Sequence, residues 1–202
     1  MGTMLYTFLP LALRIFRERF PSVDVKLTEL SSRQQFTALK QRQLDISFIH
    51  GPLIEPTLHS EFVHREPLWV ALPQTHPLAG CEIISLRDLR DEPFVLVSRE
   101  REPAVHDRYI SMCQESGFVP QIAQEASQIQ TMLGLVGMGI GVFLVPECVC
   151  NSHHSGVTYI PLIETHFVAE YFAVWREDDD SPVLQQFWTV IQDVMDMPDS
   201  AT

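Results

Sequence analysis

The chain has 202 residues, of which 46% are hydrophobic and 20% are charged, and its formal net charge at pH 7 is -12. This is ordinary globular composition, with enough length for one domain or two small lobes, and it argues against a disordered chain. The acidic balance also argues against a surface that grips nucleic acid, because such binding depends on clustered lysine and arginine. We therefore expect any contact with DNA to be made by another polypeptide region and not by this chain.

Neither a membrane span nor a secretory signal is predicted. The longest apolar run, Leu133 to Val145, consists partly of glycines and is shorter than the roughly 20 residues that a membrane-spanning helix needs. No basic segment precedes an apolar core at the N-terminus. Four cysteines without the spacing of a disulfide framework fit a reducing environment, so we expect a cytoplasmic protein.

The N-terminal segment has the pattern of an amphipathic helix. Residues 5–20 place large apolar side chains on one face, and Pro21 ends the pattern. Pro10 fits the first turn of this helix, with Thr7 as its cap. The alternative is a kinked helix that begins nearer Thr3.

The next segments alternate between strand and helix. Residues 23–27 alternate strictly between apolar and polar side chains, which predicts a strand that runs on to about residue 30. Ser31 and Ser32 are caps for the helix that follows, and residues 44–49 predict a second strand. The order helix, strand, helix, strand predicts parallel pairing with right-handed crossovers.

Two later segments have the pattern of connections between lobes. Residues 61–72 form a long extended run that Pro67 breaks, which suits a segment that leaves one lobe and enters another. Residues 168–175 predict a strand that crosses back. The final helix follows, with Ser181 as its cap and Pro182 at its first position.

The segment between these crossings contains the most distinctive pattern in the chain. Residues 133–146 read LGLVGMGIGVFLVP, which predicts a buried helix, a glycine turn and a short buried strand, with Ser127 as the helix cap. Several glycines close together indicate that the backbone turns with positive φ or packs closely. The other elements predicted here are a short helix at 85–89, a strand at 94–97, a helix at 105–116, a strand beginning at 120–123, a short helix or turn at 147–155 and a strand at 157–162.

Four phrases, in order along nearly the whole chain, resemble the effector-binding domain of LysR-type transcriptional regulators. They are LPLALRIFRERFP at 9–21, ALKQRQLDISF at 38–48, HPL at 76–78 and LGLVGMGIGVFLVP at 133–146. The resemblance implies an α/β fold of the type II periplasmic-binding-protein kind, in which two Rossmann-like lobes are joined by two crossover strands. Lobe I would comprise residues 1–65 and 165–202, and lobe II residues 66–164.

Two departures from this family bear on what we expect. The winged helix-turn-helix module through which the family binds DNA is absent from this chain. The chain also begins after the position of the first strand of lobe I. We expect the gap in the lobe I sheet either to be paired in another way or to weaken that lobe, because buried backbone groups need partners.

The resemblance also implies a function: a small organic acid binds between the lobes and alters the oligomer geometry that controls transcription. Within the family, the resemblance leans towards sensors of intermediates in aromatic-compound breakdown. The partners implied are this acid effector and further copies of the chain, as a homodimer or homotetramer, and no membrane. In the dimer, residues 9–20 would pack against residues 129–138 of the partner. No cofactor is implied.

The effector-binding residues expected from the resemblance are polar or lie at the starts of helices. They are Thr3, Ser31 and Ser32 in lobe I, and Ser98, Pro103, Val105, Gln128 and Ile129 in lobe II. From the sequence order alone, His50 and Arg99 are the nearest cations, and either would pair with a carboxylate. The simpler interpretation is that the serines are plain caps and that the two cations are solvated surface charges.

Other functional classes have less support. A solute-binding protein of a transport system is the alternative, and the free cysteines and the missing signal peptide count against it. No catalytic motif occurs, and the glycines at 137, 139 and 141 precede a strand, which is the wrong order for a dinucleotide site. We therefore expect no enzyme. Cys148, Cys150, His153 and His154 offer soft metal ligands, but their spacing favours a simple turn over a metal site.

Overall fold

The computed structural model describes residues 2–51, 53 and 55–197. The chain divides into two compact units, which we call unit 1 (Met1–His64 and Glu170–Thr202) and unit 2 (Arg65–Ala169). Two long strands, β2 (Leu58–Pro73) and β7 (Val168–Arg176), contain the points at which the chain passes between the units. In the described part of the chain, no helix combines the length and apolar character needed to cross a membrane.

Unit 1 is built on strands with helices on both faces. Its complete elements are α1 (Leu9–Arg19), α2 (Ser32–Lys40), β1 (Ile46–His50) and α6 (Pro182–Met195). β1 pairs antiparallel with β7, which lies next to β2 in the strand order. Phe16 of α1 packs edge-to-face on Phe187 of α6, with 5.0 Å between the ring centroids. On the other face, Leu39 of α2 is buried together with Ile49 of β1.

The predicted strand at 23–30 is wrong. Residues 24–31 have no regular secondary structure, although Val23 and Val25 are half-buried as the alternation requires. Leu27, which should face inward with them, is 55% exposed. A strand needs a neighbour for its backbone groups, and in the described residues this segment is not part of any sheet.

The prediction that Pro10 lies in the first turn of the helix is confirmed, although a separate helical segment precedes it. A 3₁₀ helix covers Gly2–Tyr6, and α1 begins separately at Leu9 with Pro10 in its first turn. Thr7 does not cap α1 as predicted, since its hydroxyl donates backwards to the carbonyl of Met4 at 2.9 Å. The Thr7 hydroxyl is therefore bonded to the end of the 3₁₀ helix and does not cap the start of α1.

Unit 2 holds the C-terminal half of β2 between two antiparallel neighbours. β5 (Phe143–Pro146) and β6 (Val157–Pro161) both pair with it. A second pair, β3 (Pro93–Val97) and β4 (Gln121–Ala126), is parallel. The helices of this unit are α3 (Pro103–Glu115), α4 (Ile129–Gly137) and the short α5 (Glu147–Cys150), with a 3₁₀ turn at Leu86–Leu89.

The glycine-rich stretch folds as predicted, into α4, a turn and β5. Gly139 has φ +78°, the left-handed conformation that glycine adopts without strain. A Cβ atom on Gly141 would lie 2.5 Å from the carbonyl oxygen of Pro93. The absence of a side chain at 141 therefore lets this segment pack directly on β3.

The predicted break at Pro67 is wrong, because β2 continues through it as a single strand. Pairing with β5 starts at the next residue, Leu68, whose N–H donates to the carbonyl of Phe167 at 3.1 Å. A proline is tolerated in a strand where no neighbour requires its missing N–H.

Candidate functional site

In unit 1 the structure brings two of the predicted residues together. The hydroxyl oxygen of Thr3 lies 2.8 Å from Nε2 of His50, within hydrogen-bonding distance. Thr3 belongs to the first 3₁₀ helix, and His50 is the last residue of β1. The His50 ring also packs against the ring of Tyr171, with 4.8 Å between the centroids. The end of β1 and the segment before α1 thus form one polar cluster.

His50 is not the cation that its sequence position suggested. Burial lowers its pKa to about 4, because removing the ring from water disfavours the charged form. At neutral pH the imidazole is therefore neutral and offers one N–H and one lone pair. A carboxylate would meet a hydrogen-bonding group here rather than a positive charge.

The two serines at the start of α2 have different environments. Ser31 is the N-cap: its side chain accepts from the N–H of Gln34, and the Gln34 side chain accepts from the N–H of Ser31 at 3.0 Å. This reciprocal capping box explains Ser31 without a ligand. Ser32 is the first residue of the helix and is half-buried. Of the pair, Ser32 is the better candidate for an effector contact.

In unit 2 the predicted residues follow two parallel strands. Because β3 and β4 are parallel, their carboxyl ends meet at the same edge, where the N–H of Ser98 donates to the carbonyl of Ala126 at 2.8 Å. The chain then continues to α3 from one strand and to α4 from the other. Open α/β sheets commonly bind ligands at the carboxyl ends of parallel strands.

The start of α4 differs from the prediction by one residue. Its N-cap is Gln128 instead of Ser127, and in the described residues the Gln128 side chain makes no capping hydrogen bond. Gln128 is exposed and Ile129 half-buried. The N–H groups of the first turn point out of the helix and favour an anion, together with the helix dipole.

Arg99 is held by a neighbouring acid. Its guanidinium donates to both carboxylate oxygens of Asp107 in α3, at 2.8 and 3.2 Å. This hydrogen-bonded pairing lowers the pKa of Asp107 and raises that of Arg99. The Arg99 side chain is 66% exposed. Its charge is therefore already shared with Asp107, which weakens the expectation that Arg99 pairs with an effector.

Pro103 and Val105 form the first turn of α3, where Pro103 is exposed and Val105 half-buried. The buried residue that follows, His106, fixes this helix to the sheet. Its Nδ1 lies 2.9 Å from the carbonyl oxygen of Val97 at the end of β3. Val105 thus immediately precedes a residue that is anchored to the end of β3.

In the described part of the chain, the cysteines and histidines at 148–154 do not converge into a cluster of possible metal ligands. All four cysteines are free thiols, and within the described residues no group of three or more histidine, cysteine, aspartate or glutamate side chains could hold a metal ion. Burial raises the pKa of Cys150 to about 12. The residues from 147 to 155 instead begin with α5 and continue as a turn, as the simpler interpretation proposed.

Comparison with known proteins identifies the family. Residues 1–196 match the family model described as LysR substrate binding domain. The chain belongs to this family. Its curated relatives include the HTH-type transcriptional regulator AlsR of Bacillus subtilis (strain 168), 38% identical over 186 residues, or 92% of this chain and 62% of the relative. CatR of Pseudomonas putida is 32% identical over 187 residues, or 93% of this chain and 64% of the relative.

The chain thus spans less than two thirds of the length of these LysR-type relatives. Solved structures confirm the predicted fold class. The BenM effector binding domain with its effector benzoate has a TM-score of 0.86 at 23% identity, covering 99% of this chain and 93% of that one. Full-length CbnR complexed with target DNA has a TM-score of 0.86 at 22% identity, covering 97% of this chain and 69% of that one.

For this member of the LysR family, sequence patterns did not indicate that the ring of Tyr171 contacts the rings of both His50 and His64. Tyr171 of β7 is fully buried against the His50 ring, and His64 of β2 stacks on Tyr171 at 14° with 6.0 Å between the centroids. These residues meet only because distant strands pair. The alternation of apolar and polar residues in β7 indicates that Tyr171 faces inward. It does not indicate which residues Tyr171 contacts.

Proposed function

We propose that this chain is the effector-sensing regulatory domain of a LysR-type transcription factor, and that its effector is a small organic acid. Two observations support this: the family match extends over residues 1–196, and the curated relatives AlsR, CatR and BenM are named as HTH-type transcriptional regulators. The net charge of -12 supports the proposal that any DNA contact is made by a separate module.

The observation that carries the chemistry is the Thr3–His50 pair. It places a hydroxyl and a neutral imidazole at the end of β1, 2.8 Å apart. In unit 2, Ser98 and the start of α4 follow the carboxyl ends of β3 and β4. Since Arg99 is already paired with Asp107, the groups that each unit offers a carboxylate are hydrogen-bonding groups: a hydroxyl and an imidazole in unit 1, and the N–H groups of the α4 start in unit 2. Affinity should therefore depend only weakly on salt concentration.

The regulatory step follows from differential binding. The acid changes the output only if it binds one arrangement of the protein more tightly than another. We propose that the arrangement is read out by a homodimer in which α1 of one copy packs against α4 of the other. Met138, directly after α4, is 70% exposed, and such an apolar side chain is well suited to an interface.

A thermal-shift screen tests this function. The purified chain is heated with benzoate, muconate-like diacids and short aliphatic acids, each at millimolar concentration. A true effector at a hundredfold excess over its Kd stabilises the folded state by about 2.7 kcal/mol. A selective rise in Tm for one chemical class supports the proposal. The absence of any rise, in a sample shown to be folded, contradicts it.

A pair of variants then locates the site. Gln128→Ala should weaken binding of the acid found in the screen, because it changes the residue at the start of α4. Gln186→Ala is the matched control, since Gln186 is an exposed residue of α6 in unit 1. Equal affinities for the two variants would move the site away from the α4 N-terminus.

A further inference from the structure

His50 and Tyr171 lie directly opposite each other in the ladder between β1 and β7. The neighbouring pair is hydrogen-bonded, since the N–H of Gly51 donates to the carbonyl of Glu170 at 3.0 Å. Bonded and non-bonded pairs alternate along an antiparallel ladder, so His50 and Tyr171 form a non-bonded pair, in which opposing side chains lie closest. Their ring centroids are 4.8 Å apart, with 49° between the ring planes. The pairing of the two strands therefore holds these rings together.

Tyr171 is confined from the other side as well. In the strand order, β7 lies between β1 and β2. The ring of His64 on β2 stacks on the Tyr171 ring at 14°, with 6.0 Å between the centroids. Rings from three adjacent strands thus form a row with Tyr171 in the middle. Because Tyr171 is also fully buried, its ring offers a fixed surface to the His50 ring.

The plane of the His50 ring is not determined by the residue itself. The torsion that rotates an imidazole about its Cβ–Cγ bond has broad preferences, so neighbouring groups decide the orientation of the ring. An aromatic neighbour favours offset or edge-to-face arrangements, a preference that an aliphatic side chain lacks. The aromatic neighbour of His50 is Tyr171. In the resulting orientation, Nε2 of His50 lies 2.8 Å from the hydroxyl oxygen of Thr3.

Ring orientation matters here because the imidazole is neutral at neutral pH. Burial lowers the pKa of His50 to about 4, so the ring recognises an acid by hydrogen bonding and not by charge. A hydrogen bond weakens steeply as the angle at the hydrogen falls towards about 120°. The attraction between two charges, in contrast, depends mainly on their distance. A modest rotation of the His50 ring would therefore weaken recognition.

We propose that Tyr171 is a positioning residue for effector recognition: without touching the acid, its ring fixes the plane of the His50 imidazole and keeps the Thr3–His50 pair in its binding geometry. This inference rests on the proposed function, because it takes the Thr3–His50 pair to be the part of unit 1 that binds the acid. The competing role for Tyr171 is packing alone. The two roles differ in how a change at Tyr171 combines with a change at Thr3.

Calorimetric titration of benzoate, acetate and muconate into the 202-residue chain measures the effect of the ring. Tyr171→Leu removes the ring and should raise the Kd of the acid that binds the parent chain about fivefold, as expected for one lost hydrogen bond. Tyr171→Phe keeps the ring and should leave the Kd unchanged. Phe187→Leu is the matched control, since it removes a buried ring of unit 1 that packs on Phe16. It should also leave the Kd unchanged.

A double-mutant cycle with Thr3→Val separates positioning from packing. If Tyr171 acts through the Thr3–His50 pair, Tyr171→Leu should have little further effect on the Kd in the Thr3→Val background. NMR of the free protein gives a second measure. Nuclear Overhauser effects from the His50 ring protons beside Nε2 to the Thr3 methyl group should persist in Tyr171→Phe and weaken in Tyr171→Leu. Tyr171→Met, which also lacks a ring, replaces Tyr171→Leu if that chain does not fold.

Three results would overturn this proposal and leave the proposed function standing, provided that Thr3→Val itself weakens binding. They are equal effects of Tyr171→Leu in the parent and Thr3→Val backgrounds, equal weakening by Tyr171→Phe and Tyr171→Leu, and unchanged Overhauser effects in Tyr171→Leu. An unchanged Kd for Thr3→Val, or no binding of any of the three acids to the folded parent chain, would overturn the proposed function and this inference together.

Discussion

The short buried strands β1 of unit 1 and β3 of unit 2 differ in how their backbones are paired. β3 has β4 on one side, and on the other side Val95 donates to the carbonyl of Val142 at 2.8 Å. β1 has β7 on one side and, among the described residues, no strand on the other. Both strands bury their central side chains. Helices that bury the side chains of a strand do not provide hydrogen-bond partners for its backbone N–H and C=O groups. We therefore expect unit 1 to be the less stable unit.

The largest expected difference comes from removing one ring in each strand. Phe94→Ala should reduce the free energy of unfolding by about 3–5 kcal/mol, because Phe94 is fully buried and its loss leaves a cavity. Phe48→Ala should cost less, about 1–3 kcal/mol, because Phe48 already borders a cavity of about 280 Å³ in unit 1 and little new cavity is created. Urea unfolding followed by circular dichroism measures both. Equal losses would remove the contrast between the strands.

A glycine pair tests the tight packing of unit 2. Gly141→Ala should destabilise the protein by about 1–3 kcal/mol, since the new Cβ would lie 2.5 Å from the carbonyl oxygen of Pro93. Gly134→Ala is the matched control in the middle of α4, where a Cβ would have no described atom within 4 Å. This control should stabilise by about 0.5–1 kcal/mol. Destabilisation of similar size in both would show that the contact with β3 is not the cause.

Acidification should weaken unit 1 through His50. The pKa of His50 is lowered to about 4 in the folded protein from 6.5, so between these values the unfolded chain binds more protons. Stability must therefore fall as the pH drops from 6.5 towards 4, by at most about 1.4 kcal/mol per pH unit.

His50→Asn isolates this contribution. Urea unfolding at pH 7, 6, 5 and 4 should show a shallower loss of stability for the variant than for the parent chain. His153→Asn, at an exposed residue after α5 in unit 2, serves as the control and should keep the parent slope. Parallel curves for His50→Asn and the parent would show that the ring is not held neutral.

The smallest effect on stability is expected at the surface. Unit 2 has large apolar side chains at its surface, with Val119 at 72% and Met138 at 70% exposed. Met138→Glu should change the free energy of unfolding by less than about 0.5 kcal/mol and shift the proposed dimer towards monomer in sedimentation equilibrium. Ile163→Glu, at another exposed apolar residue of unit 2, should leave the mass unchanged. Loss of association in both variants would argue against an interface at α4.

The contrast between the units also separates what the sequence could predict from what it could not. The glycine stretch of unit 2 was predictable because helix, turn and strand there depend on local pattern. Residues 23–27 alternate just as clearly, yet a strand forms only beside a partner strand, which alternation cannot reveal. The neutral state of His50 and the pairing of Arg99 with Asp107 depend on tertiary burial and geometry. The fold was therefore more predictable than the chemistry of the site.

The most direct test of the central proposal is calorimetric titration of the acid found in the screen. It compares the parent chain, Thr3→Val and the control Thr189→Val, which makes the same change on the exposed face of α6. Thr3→Val removes the hydroxyl that lies beside His50. Loss of one hydrogen bond costs about 1 kcal/mol, so Thr3→Val should raise the Kd about five- to tenfold while Thr189→Val leaves it unchanged. An unchanged Kd for a folded Thr3→Val chain would contradict the assignment of the Thr3–His50 cluster to effector binding.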